Sequence, residues 1–423
     1  MINLYEKIIT DFSQYRPNII GINKSKYFDY TASGLGFNII EQRVLRILQT
    51  YANTHSHEAS NAKITQQYYD NARDIIRECL GINKDYYVLP SGTGTTSAIQ
   101  HFQKLMGIYL PPNTRARVTV GDNVPLVIIS PFEHHSNEVS YREALCDVIR
   151  VKLKDGNVDL DDLRYVLETN KHREIIASFS FMSNVTGIIT PYKEISKLVK
   201  QYNGIMCFDC AASSPYMNIE PQYYDAIVMS PHKLVGGIGS CGLLIIHKRI
   251  LKGRTPTFSG GGTVEYVSKN TQIYQTNIET IEDAGTPGIL QLIRASLAYK
   301  LRNDVGLDVI KEKKLHNTKY FMDRLYSIKN LEIYSPYDNN GIISFNIKNR
   351  SPYNMCERLS TLYGIQSRAG CSCAGPYGHE LLGLNDIVDL TKKPGWLRVS
   401  LHYSHLETDI DFLLDSIKKL SSF

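Results

Sequence analysis

The sequence predicts an α/β fold, in which a mostly parallel sheet is covered by helices and is followed by a smaller α+β region. The first observation is that short apolar runs alternate with stretches of helical period through residues 34–247. This alternation is typical of parallel strands joined by helices. The second observation is a change of pattern at about residue 290, where one long amphipathic stretch precedes strands mixed with helices. The change predicts a second, smaller domain.

The individual elements follow from the length, period and bounding residues of each run. In the first region we expect helices over residues 34–51, 65–80 and 191–202, and a further helix from about residue 96. Strands are expected over residues 86–89, 125–130, 175–181, 204–209, 225–230 and 243–247. In the C-terminal region we expect a helical stretch over residues 290–326, a helix from residue 351, and strands over residues 331–334, 341–347 and 397–401.

Composition and charge indicate a globular protein without a polyanionic partner. The 423 residues can form two domains, and 43% hydrophobic with 21% charged residues is ordinary for such a protein. The net charge of +5 is small and there is no polybasic run, so we expect neither nucleic-acid nor membrane binding. Apolar runs such as Leu243–Ile246 are too short to cross a bilayer, and Glu6 and Lys7 precede any apolar run. We therefore expect a cytoplasmic protein without a signal peptide.

Lys233 ends the segment SPHK (residues 230–233), between the apolar runs Ala226–Met229 and Leu243–Ile246. Apolar surroundings disfavour the ammonium form, which lowers the lysine pKa and makes the amine a usable nucleophile. A lysine in a surface loop is the alternative, and the polar residues at neighbouring strand ends argue against it. The segment GIGSCG (residues 237–242) matches the dinucleotide pattern, but it opens a strand instead of a helix, so we discount that function.

Two other strand ends favour an anion and an aromatic ligand. The segment SGTGTTS (residues 91–97) follows a strand and opens a helix, so free N–H groups, hydroxyls and the helix dipole could bind phosphate. A plain strand-to-helix turn is the alternative. His134 and His135 follow the next strand. A shared metal is disfavoured because adjacent ligands usually point apart, whereas a flat imidazole can stack on an aromatic cofactor.

Asp209 closes an apolar strand, where an acid is costly to bury without a partner. A protonated ring nitrogen would be a suitable partner. Cys207 and Cys210 form a C-x-x-C pattern around it. We expect no redox pair, because alternation along a strand places the two sulfur atoms on opposite faces of the sheet.

The segment RAGCSCAGP (residues 368–376) carries two thiols near an arginine, in a loop of small residues that suits a mobile nucleophile. A metal site of Cys371, Cys373 and His379 is the alternative, but it lacks a convincing fourth ligand. Arg398 lies inside an apolar strand and therefore needs a carboxylate or phosphate partner. The segments SNVTG (residues 183–187) and DAGTP (residues 283–287) can be read as turns.

Together these motifs resemble the fold-type I pyridoxal phosphate (PLP) enzymes of aminotransferase class V, and within them the SufS-like cysteine desulfurases and selenocysteine lyases. EHHSN, SNVTG, FDCAAS, SPHK, AGTP and RAGCSC occur in family order, and the resemblance extends from residue 27 through YANTH (residues 51–55) to the last helix. It implies PLP as cofactor and a seven-stranded large domain over residues 26–290. It also implies a small domain over residues 291–423, with residues 1–25 packing on it.

The resemblance also implies roles for particular residues. Lys233 would be the Schiff-base lysine, Asp209 the partner of the pyridinium nitrogen, and His134 the ring-stacking residue. The phosphate would be held by Thr95, Thr96, Ser230 and His232. Asn184 would lie near the phenolic oxygen of the ring and the substrate, Arg398 would hold the substrate carboxylate with help from Arg368, and Cys373 would be the catalytic cysteine. Thr286 would reach the phosphate of a neighbouring subunit, which implies a homodimer.

The implied reaction is the conversion of L-cysteine to L-alanine, with the sulfur held on Cys373 as a persulfide and passed to an acceptor protein. Two positions depart from the family. Ala212 replaces a glutamine, as in the aminotransferase-like domain of molybdenum cofactor sulfurases, and Cys371 is a second thiol that either resolves the persulfide or is idle. The alternatives are another class V enzyme (a selenocysteine lyase, aminotransferase, epimerase or molybdenum cofactor sulfurase-like protein) or a catalytically silent scaffold.

Overall fold

Helices and strands alternate through the first part of the computed structural model, which describes residues 4–54, 56, 58–121, 123–253, 255–385 and 393–422. The α-helices in these ranges are α1 (Asn38–Leu48), α2 (Ser60–Leu80), α3 (Thr95–Leu105), α4 (His135–Arg142), α5 (Leu160–Thr169), α6 (Tyr192–Gln201), α7 (Ile278–Ile281), α8 (Ile289–Val305), α9 (Leu307–Leu325), α10 (Pro352–Tyr363), α11 (Gly375–Leu381) and α12 (Glu407–Ser421). None of them is long and apolar enough to cross a membrane.

Within the described part of the chain, the strands form one large sheet, one smaller sheet and three short pairs. They are β1 (Lys26–Tyr27), β2 (Tyr86–Ser91), β3 (Leu126–Ile129), β4 (Asp147–Arg150), β5 (Leu153–Lys154), β6 (Asn157–Val158), β7 (Ile175–Ser180), β8 (Ile205–Asp209), β9 (Ala226–Met229), β10 (Gly242–His247), β11 (Val264–Val267), β12 (Gln272–Tyr274), β13 (Leu331–Ile333), β14 (Ile342–Ile347), β15 (Ile365–Gln366), β16 (Arg368–Gly370) and β17 (Trp396–Ser400).

The large sheet has seven strands in the order β2-β10-β9-β8-β7-β3-β4. Neighbouring strands from β9 to β4 are parallel, whereas β10 runs antiparallel to both β9 and β2. The predicted α/β class with a mostly parallel seven-stranded sheet is therefore confirmed. The carboxyl ends of all strands except β10 meet at one edge, where open α/β sheets bind their ligands.

Hydrophobic side chains cover both faces of this sheet. Along β8, Cys207 belongs to one buried cluster, while Phe208 and Cys210 belong to another. All three residues are buried. The two thiols of the C-x-x-C pattern thus lie on opposite sides of the sheet, as alternation along a strand predicts.

The C-terminal region contains a four-stranded sheet in the order β13-β14-β17-β16, whose neighbouring strands are antiparallel. Residues of α9, α10 and α12 pack on it in a separate hydrophobic cluster. This arrangement supports the proposed small domain, for which residues 291–423 stay a prediction. The expected helical stretch over residues 290–326 consists of two helices, α8 and α9, which are separated at Gly306. Gly306 has a φ of +92°, a conformation that side-chain-bearing residues rarely adopt.

The N-terminal segment contacts both parts of the chain. The hydroxyl groups of Tyr15 and Tyr403 lie 2.6 Å apart, and Arg16 forms an ion pair of 2.9 Å with Asp409. The Ile8 N–H also donates a hydrogen bond of 2.6 Å to Asp304 at the end of α8. Ile8, Tyr15 and Arg16 therefore lie against α8 and the C-terminal region, and the packing of residues 1–25 on the small domain stays a prediction.

The separation of α8 and α9 leads to a stability prediction for Gly306→Ala. A methyl group at this backbone conformation is strained, so the substitution should lower the free energy of unfolding by about 1–3 kcal/mol. The matched control is Gly253→Ala at an exposed position where an added β-carbon meets no atom within 4 Å. It should change that free energy by less than about 0.5 kcal/mol. Chemical denaturation measures both, and equal values would contradict the prediction.

Candidate active site

A cleft of about 390 Å³ opens at the carboxyl ends of the parallel strands, between the two sheets. It brings together the sequence-predicted site residues other than Thr286, namely Thr95, Thr96, His134, Asn184, Asp209, Ser230, His232, Lys233, Arg368, Cys373 and Arg398. Thr286 is exposed and lies outside this cleft, where its hydroxyl accepts a hydrogen bond of 3.1 Å from Asn53. His55, at the end of the YANTH motif, is outside the described residues.

One end of the cleft is a polar cradle at the start of α3. Thr95 is the first residue of this helix, and its N–H and hydroxyl lie 2.9 Å and 2.7 Å from the Ser230 hydroxyl oxygen. A β-carbon on Gly94 would lie 3.1 Å from the ring of His232 and 3.3 Å from the Ser230 oxygen. Glycine thus keeps the space open in front of a helix N-terminus, where backbone N–H groups and the helix dipole favour an anion.

Lys233 ends a single 3-10 turn after β9 and is half-buried in the cleft. Among the described residues, its amine makes no hydrogen bond or ion pair. Burial lowers the pKa of Lys233 to about 8, although the negative charge of Asp209 opposes this and the positive charge of Arg398 adds to it. About a tenth of the amine is therefore neutral at pH 7, far more than for an ordinary lysine, and the neutral amine is the form that acts as a nucleophile or base.

Asp209 is the last residue of β8 and is buried. Within the described part of the chain, its carboxylate accepts one hydrogen bond, of 2.8 Å from the Ala211 N–H. Burial raises the pKa of Asp209, and the Ala211 N–H and the charge of Lys233 oppose that rise. A buried carboxylate can accept more than one hydrogen bond. Asp209 can therefore accept a further hydrogen bond from an N–H or O–H group of a ligand.

His134 caps the N-terminus of α4, a helix that the sequence did not predict. Its Nδ1 accepts a hydrogen bond of 3.1 Å from the Ser136 N–H. Burial lowers the pKa of His134 to about 4, and the positive charge of Lys233 contributes to the same shift. The imidazole is therefore neutral near pH 7, and a neutral flat ring suits stacking on an aromatic ligand.

Glu133, next to His134, had no role in the sequence prediction. Its buried carboxylate accepts hydrogen bonds from the N–H of Ser130, the amide of Asn137, and both the N–H and the hydroxyl of Ser180. Burial raises the pKa of Glu133 to about 7, and these hydrogen bonds oppose the rise. They join the ends of β3 and β7 to α4 and so fix the backbone that carries His134.

The two arginines lie directly opposite each other on β16 and β17 and share one carboxylate, that of Asp29. Arg368 donates to Asp29 from both Nε and Nη2, with distances to Oδ2 of 3.0 Å and 2.8 Å. Arg398 donates to Asp29 Oδ1 at 3.2 Å and to the Asn184 carbonyl oxygen at 2.9 Å. The Nε of Arg398 is buried and has no partner in the described part of the chain. Sequence reasoning missed Asp29, although an acid within the apolar segment YFDY was a usable signal.

The two cysteines of the segment RAGCSC differ in exposure. Cys373 is exposed and lines the cleft, whereas Cys371 is half-buried and packs against the main hydrophobic core. A tight turn separates them, in which the Ala374 N–H donates to the Cys371 carbonyl oxygen at 2.9 Å. Ser372 and Cys373 have φ values of +53° and +56°. In the described part of the chain, no three His, Cys, Asp or Glu side chains converge where a metal ion could bind.

Four hydrogen bonds hold this loop, which the sequence predicted to be mobile. The His135 N–H donates to the Cys373 carbonyl oxygen at 2.7 Å, and the His135 Nε2 accepts from the Gly375 N–H at 2.9 Å. Ser372 accepts the other two, from the Asn184 side-chain amide at 2.7 Å and from the Trp396 ring at 3.1 Å. His135 is thus a third residue, after Glu133 and Asp29, whose role sequence reasoning missed, because nothing local marks its contact with a loop 240 residues away.

The chain is similar to known proteins over almost its whole length. The aminotransferase class-V family model matches residues 26–413. A probable cysteine desulfurase from Halalkalibacterium halodurans is 27% identical over 88% of this chain and 87% of its own length. One from Staphylococcus epidermidis is 28% identical over 90% of this chain and 89% of its own length.

Solved structures share the fold. The apo structure of the cysteine desulfurase from Thermococcus onnurineus has a TM-score of 0.82 and 23% identity, covering 98% of this chain and 99% of that chain. The cysteine desulfurase CsdA from Escherichia coli has a TM-score of 0.79 and 22% identity, covering 97% of this chain and 98% of that chain. This chain therefore shares its overall fold with these proteins.

The lowered pKa of Lys233 predicts unusual reactivity of its amine in the protein without a bound ligand. Amine acylation at Lys233, followed by peptide mass spectrometry, should have a pH midpoint near 8. Asp209→Asn removes a charge that stabilises the ammonium form and should move the midpoint down. Arg398→Gln removes a charge that destabilises that form and should move it up. Midpoints that stay near 10.5, the ordinary lysine value, would contradict the prediction.

The contacts of His135 predict a hydrogen-exchange signature at Gly375. His135→Ala removes the acceptor of the Gly375 N–H, so this amide should exchange at least about tenfold faster, which corresponds to about 1.4 kcal/mol. His135→Gln places an amide oxygen near the position of Nε2 and should restore most of the protection. Alkylation of Cys373 by iodoacetamide should rise in the alanine variant and not in the glutamine variant. Exchange of the Gly375 amide in His135→Ala at the rate of the unmodified protein would show that His135 does not hold the loop.

Proposed function

Because the chain belongs to the aminotransferase class-V family, we propose that it is a PLP-dependent cysteine desulfurase. It would convert L-cysteine to L-alanine and collect the sulfur on Cys373 as a persulfide. The observation that carries the proposal is the presence, in one cleft, of a half-buried amine with a lowered pKa at Lys233 and an exposed thiol at Cys373. Relatives named probable cysteine desulfurase, similar over most of the chain, support it.

The residues of the cleft fit PLP. The cradle left open by Gly94 suits the phosphate, which Thr95, Thr96, Ser230 and His232 would hold. Asp209 can accept a further hydrogen bond, which the ring nitrogen would donate. The neutral imidazole of His134 would stack on the face of the ring. The Lys233 amine would form the covalent link to the cofactor. When bound, PLP supplies an electron sink that stabilises negative charge at the α-carbon of an amino acid.

Lys233 would carry the proton chemistry. With a pKa of about 8, its amine can take a proton from the α-carbon of the substrate and return one later in the reaction. Asp209 would hold a proton on the ring nitrogen, because its carboxylate is buried and has a hydrogen-bond position available. Burial, with the positive charge of Arg398 adding to it and the negative charge of Asp209 opposing it, brings the pKa of Lys233 within reach of neutral pH.

Arg398 would orient the substrate through its carboxylate, for which the buried Nε supplies a free donor. The thiolate of Cys373 would then attack the substrate sulfur. A sulfur–sulfur bond forms as the carbon–sulfur bond breaks, and the electron pair left on carbon takes up a proton to give alanine. Cys373 retains the sulfur as a persulfide, which an acceptor can reach because this residue is exposed.

Ala212 changes the expected contacts of the phenolic oxygen of PLP. Ala212 lines the cleft where the family usually has glutamine, so the contact with the phenolic oxygen of PLP would fall to Asn184 alone. The side-chain amide of Asn184 already donates to Ser372.

We also propose a homodimer, in which the exposed Thr286 reaches the phosphate bound by a partner subunit. Its position outside the cleft of its own chain supports this assignment.

A substrate-and-variant assay tests the function. The PLP-loaded protein should release alanine and sulfide from L-cysteine in the presence of a reductant. Cys373→Ser should reduce sulfide release at least about a hundredfold, as expected for loss of the nucleophile. The matched control is Cys371→Ser, which should retain most of the activity because Cys371 does not line the cleft.

Other outcomes would redirect the proposal. Full activity in Cys373→Ser with loss in Cys371→Ser would make Cys371 the nucleophile. Turnover of amino acids that depends on neither cysteine would favour another class V reaction, such as transamination or epimerisation. A protein that never binds PLP would favour a silent scaffold.

A further inference from the structure

Ser91, His101 and Glu282 form a hydrogen-bonded chain beside the phosphate cradle, and the proposed reaction assigns no role to it. The Ser91 hydroxyl oxygen lies 2.8 Å from Nδ1 of His101, and Nε2 of the same ring lies 2.8 Å from Oε2 of Glu282. The side chains of His101 and Glu282 are 11% and 2% exposed. One imidazole of α3 thus joins two segments that are distant in the sequence.

A serine, a histidine and a glutamate are also the residue types of a hydrolytic triad. A serine nucleophile has to reach its substrate. Ser91 is buried and does not belong to the described lining of the cleft, and its hydroxyl also lies 3.3 Å from the Leu89 carbonyl oxygen. The three side chains therefore hold backbone segments together and do not form a nucleophilic site.

The contacts of His101 persist in either of its protonation states. Burial raises the pKa of Glu282, but hydrogen bonds from His101 and Thr257 outweigh this effect and lower it. The ionised carboxylate only accepts hydrogen bonds, so Nε2 of His101 carries a proton. Nδ1 either accepts from the Ser91 hydroxyl or, when protonated, donates to it while that hydroxyl donates to Leu89.

Ser91 is the point where this chain of hydrogen bonds meets the phosphate cradle. It ends β2 and precedes Gly92, whose φ is +47°, and the helix that begins at Thr95. The Gly92 carbonyl oxygen accepts a hydrogen bond of 3.3 Å from the Gly242 N–H. Because the backbone turns sharply here, the contact at Ser91 helps to fix the direction of the N–H groups that would face the phosphate.

Glu282 is the point where the same hydrogen bonds meet the segment that carries Thr286. Its carboxylate also accepts hydrogen bonds from the N–H and the hydroxyl of Thr257, at 3.1 Å and 2.5 Å. The next residue, Asp283, accepts a hydrogen bond of 2.9 Å from the Tyr69 hydroxyl. Both acids are held within the chain, whereas Thr286 is exposed. Their contacts therefore set the position from which Thr286 extends.

We infer that His101 is a positioning residue, which joins the phosphate cradle of one subunit to the segment that presents Thr286 to the other. Its Nδ1 supports PLP binding in its own subunit through Ser91, and its Nε2 supports PLP binding in the partner through Glu282. This inference rests on the proposed function for PLP and for the homodimer. It does not depend on the transfer of sulfur.

Heterodimers separate the two effects. Two differently tagged copies of the full chain are co-expressed, and one copy carries Lys233→Ala, so that only the other copy can link PLP. After removal of PLP and titration with fresh PLP, borohydride fixes the cofactor on Lys233, and peptide mass spectrometry measures the occupied fraction. A His101 variant in the copy that retains Lys233 tests the effect within a subunit. The same variant in the other copy tests the effect on the partner.

Two substitutions each keep one contact of the ring. His101→Asn places an amide near the position of Nδ1 but does not reach Glu282, and His101→Gln places one near Nε2 but does not reach Ser91. The asparagine variant should raise the PLP dissociation constant at least about fivefold from the partner copy, and less than about twofold from the copy that retains Lys233. The glutamine variant should show the reverse pattern.

The matched control is His316→Asn, because Nε2 of His316 also lies 2.8 Å from a glutamate, Glu407. This histidine is 59% exposed, and loss of an exposed pair should change the PLP dissociation constant by less than about twofold in either copy. Equal dissociation constants for the control and the His101 variants would overturn the inference. Asparagine and glutamine variants that act equally in both copies would overturn it as well.

Two further variants keep the inference testable where the His101 variants do not fold. Ser91→Ala should weaken PLP binding within the same copy, and Glu282→Gln should weaken it in the partner. In the protein without PLP, Glu282→Gln should also speed exchange of the Gly285 amide, which donates to the Gly261 carbonyl oxygen at 2.7 Å, at least about threefold. Unchanged exchange together with unchanged PLP binding would overturn the inference.

Failure of the proposed reaction gives a different result from failure of the inference. The expected pattern of PLP binding without sulfide release from L-cysteine would refute the desulfurase reaction and leave the role of His101 intact. Sulfide release with one PLP dissociation constant in every variant would refute the role of His101 and leave the reaction intact. A PLP-loaded chain that stays monomeric would overturn the inference together with the homodimer.

Discussion

Removal of polar groups from water at the carboxyl ends of the parallel strands is the constraint on which the site depends. In the described chain, six of the seven strands of the large sheet point the same way, so the residues that follow them meet at one edge. Burial there lowers the pKa of Lys233 and raises that of Asp209. Each group is moved toward its neutral form and keeps hydrogen-bonding capacity that a bound ligand can use.

Asn184 connects this edge to the C-terminal sheet. Its carbonyl oxygen accepts a hydrogen bond from Arg398, and its side-chain amide donates to the carbonyl oxygen of Ser372. His135, one residue from the ring-stacking candidate, holds the same loop from the other side. The proposed cofactor site, carboxylate site and nucleophile are thus joined by direct hydrogen bonds, and a shift of the C-terminal sheet would move the last two together.

Much of the fold was predictable because its signals are local. Apolar runs bounded by glycine, proline and asparagine marked most strands of the large sheet, with ends within a few residues of those observed. The helical stretch over residues 290–326 carried no local signal for a division at Gly306, because one glycine in a long amphipathic stretch is compatible with a continuous helix. Helix α4 was missed because its eight residues, HSNEVSYR, are mostly polar and show little helical periodicity.

The sequence by itself determined the fold class and the identity of most candidate site residues. The reason is local: apolar runs mark the strands, and the polar residues that follow each run can be read directly from the sequence. Only the tertiary structure decided which of these residues are free to act. It placed Asp29 on Arg368, left the Nε of Arg398 without a partner among the described residues, and separated exposed Cys373 from half-buried Cys371. These outcomes depend on contacts between segments hundreds of residues apart, where burial and hydrogen bonding are set by packing and no local pattern records them.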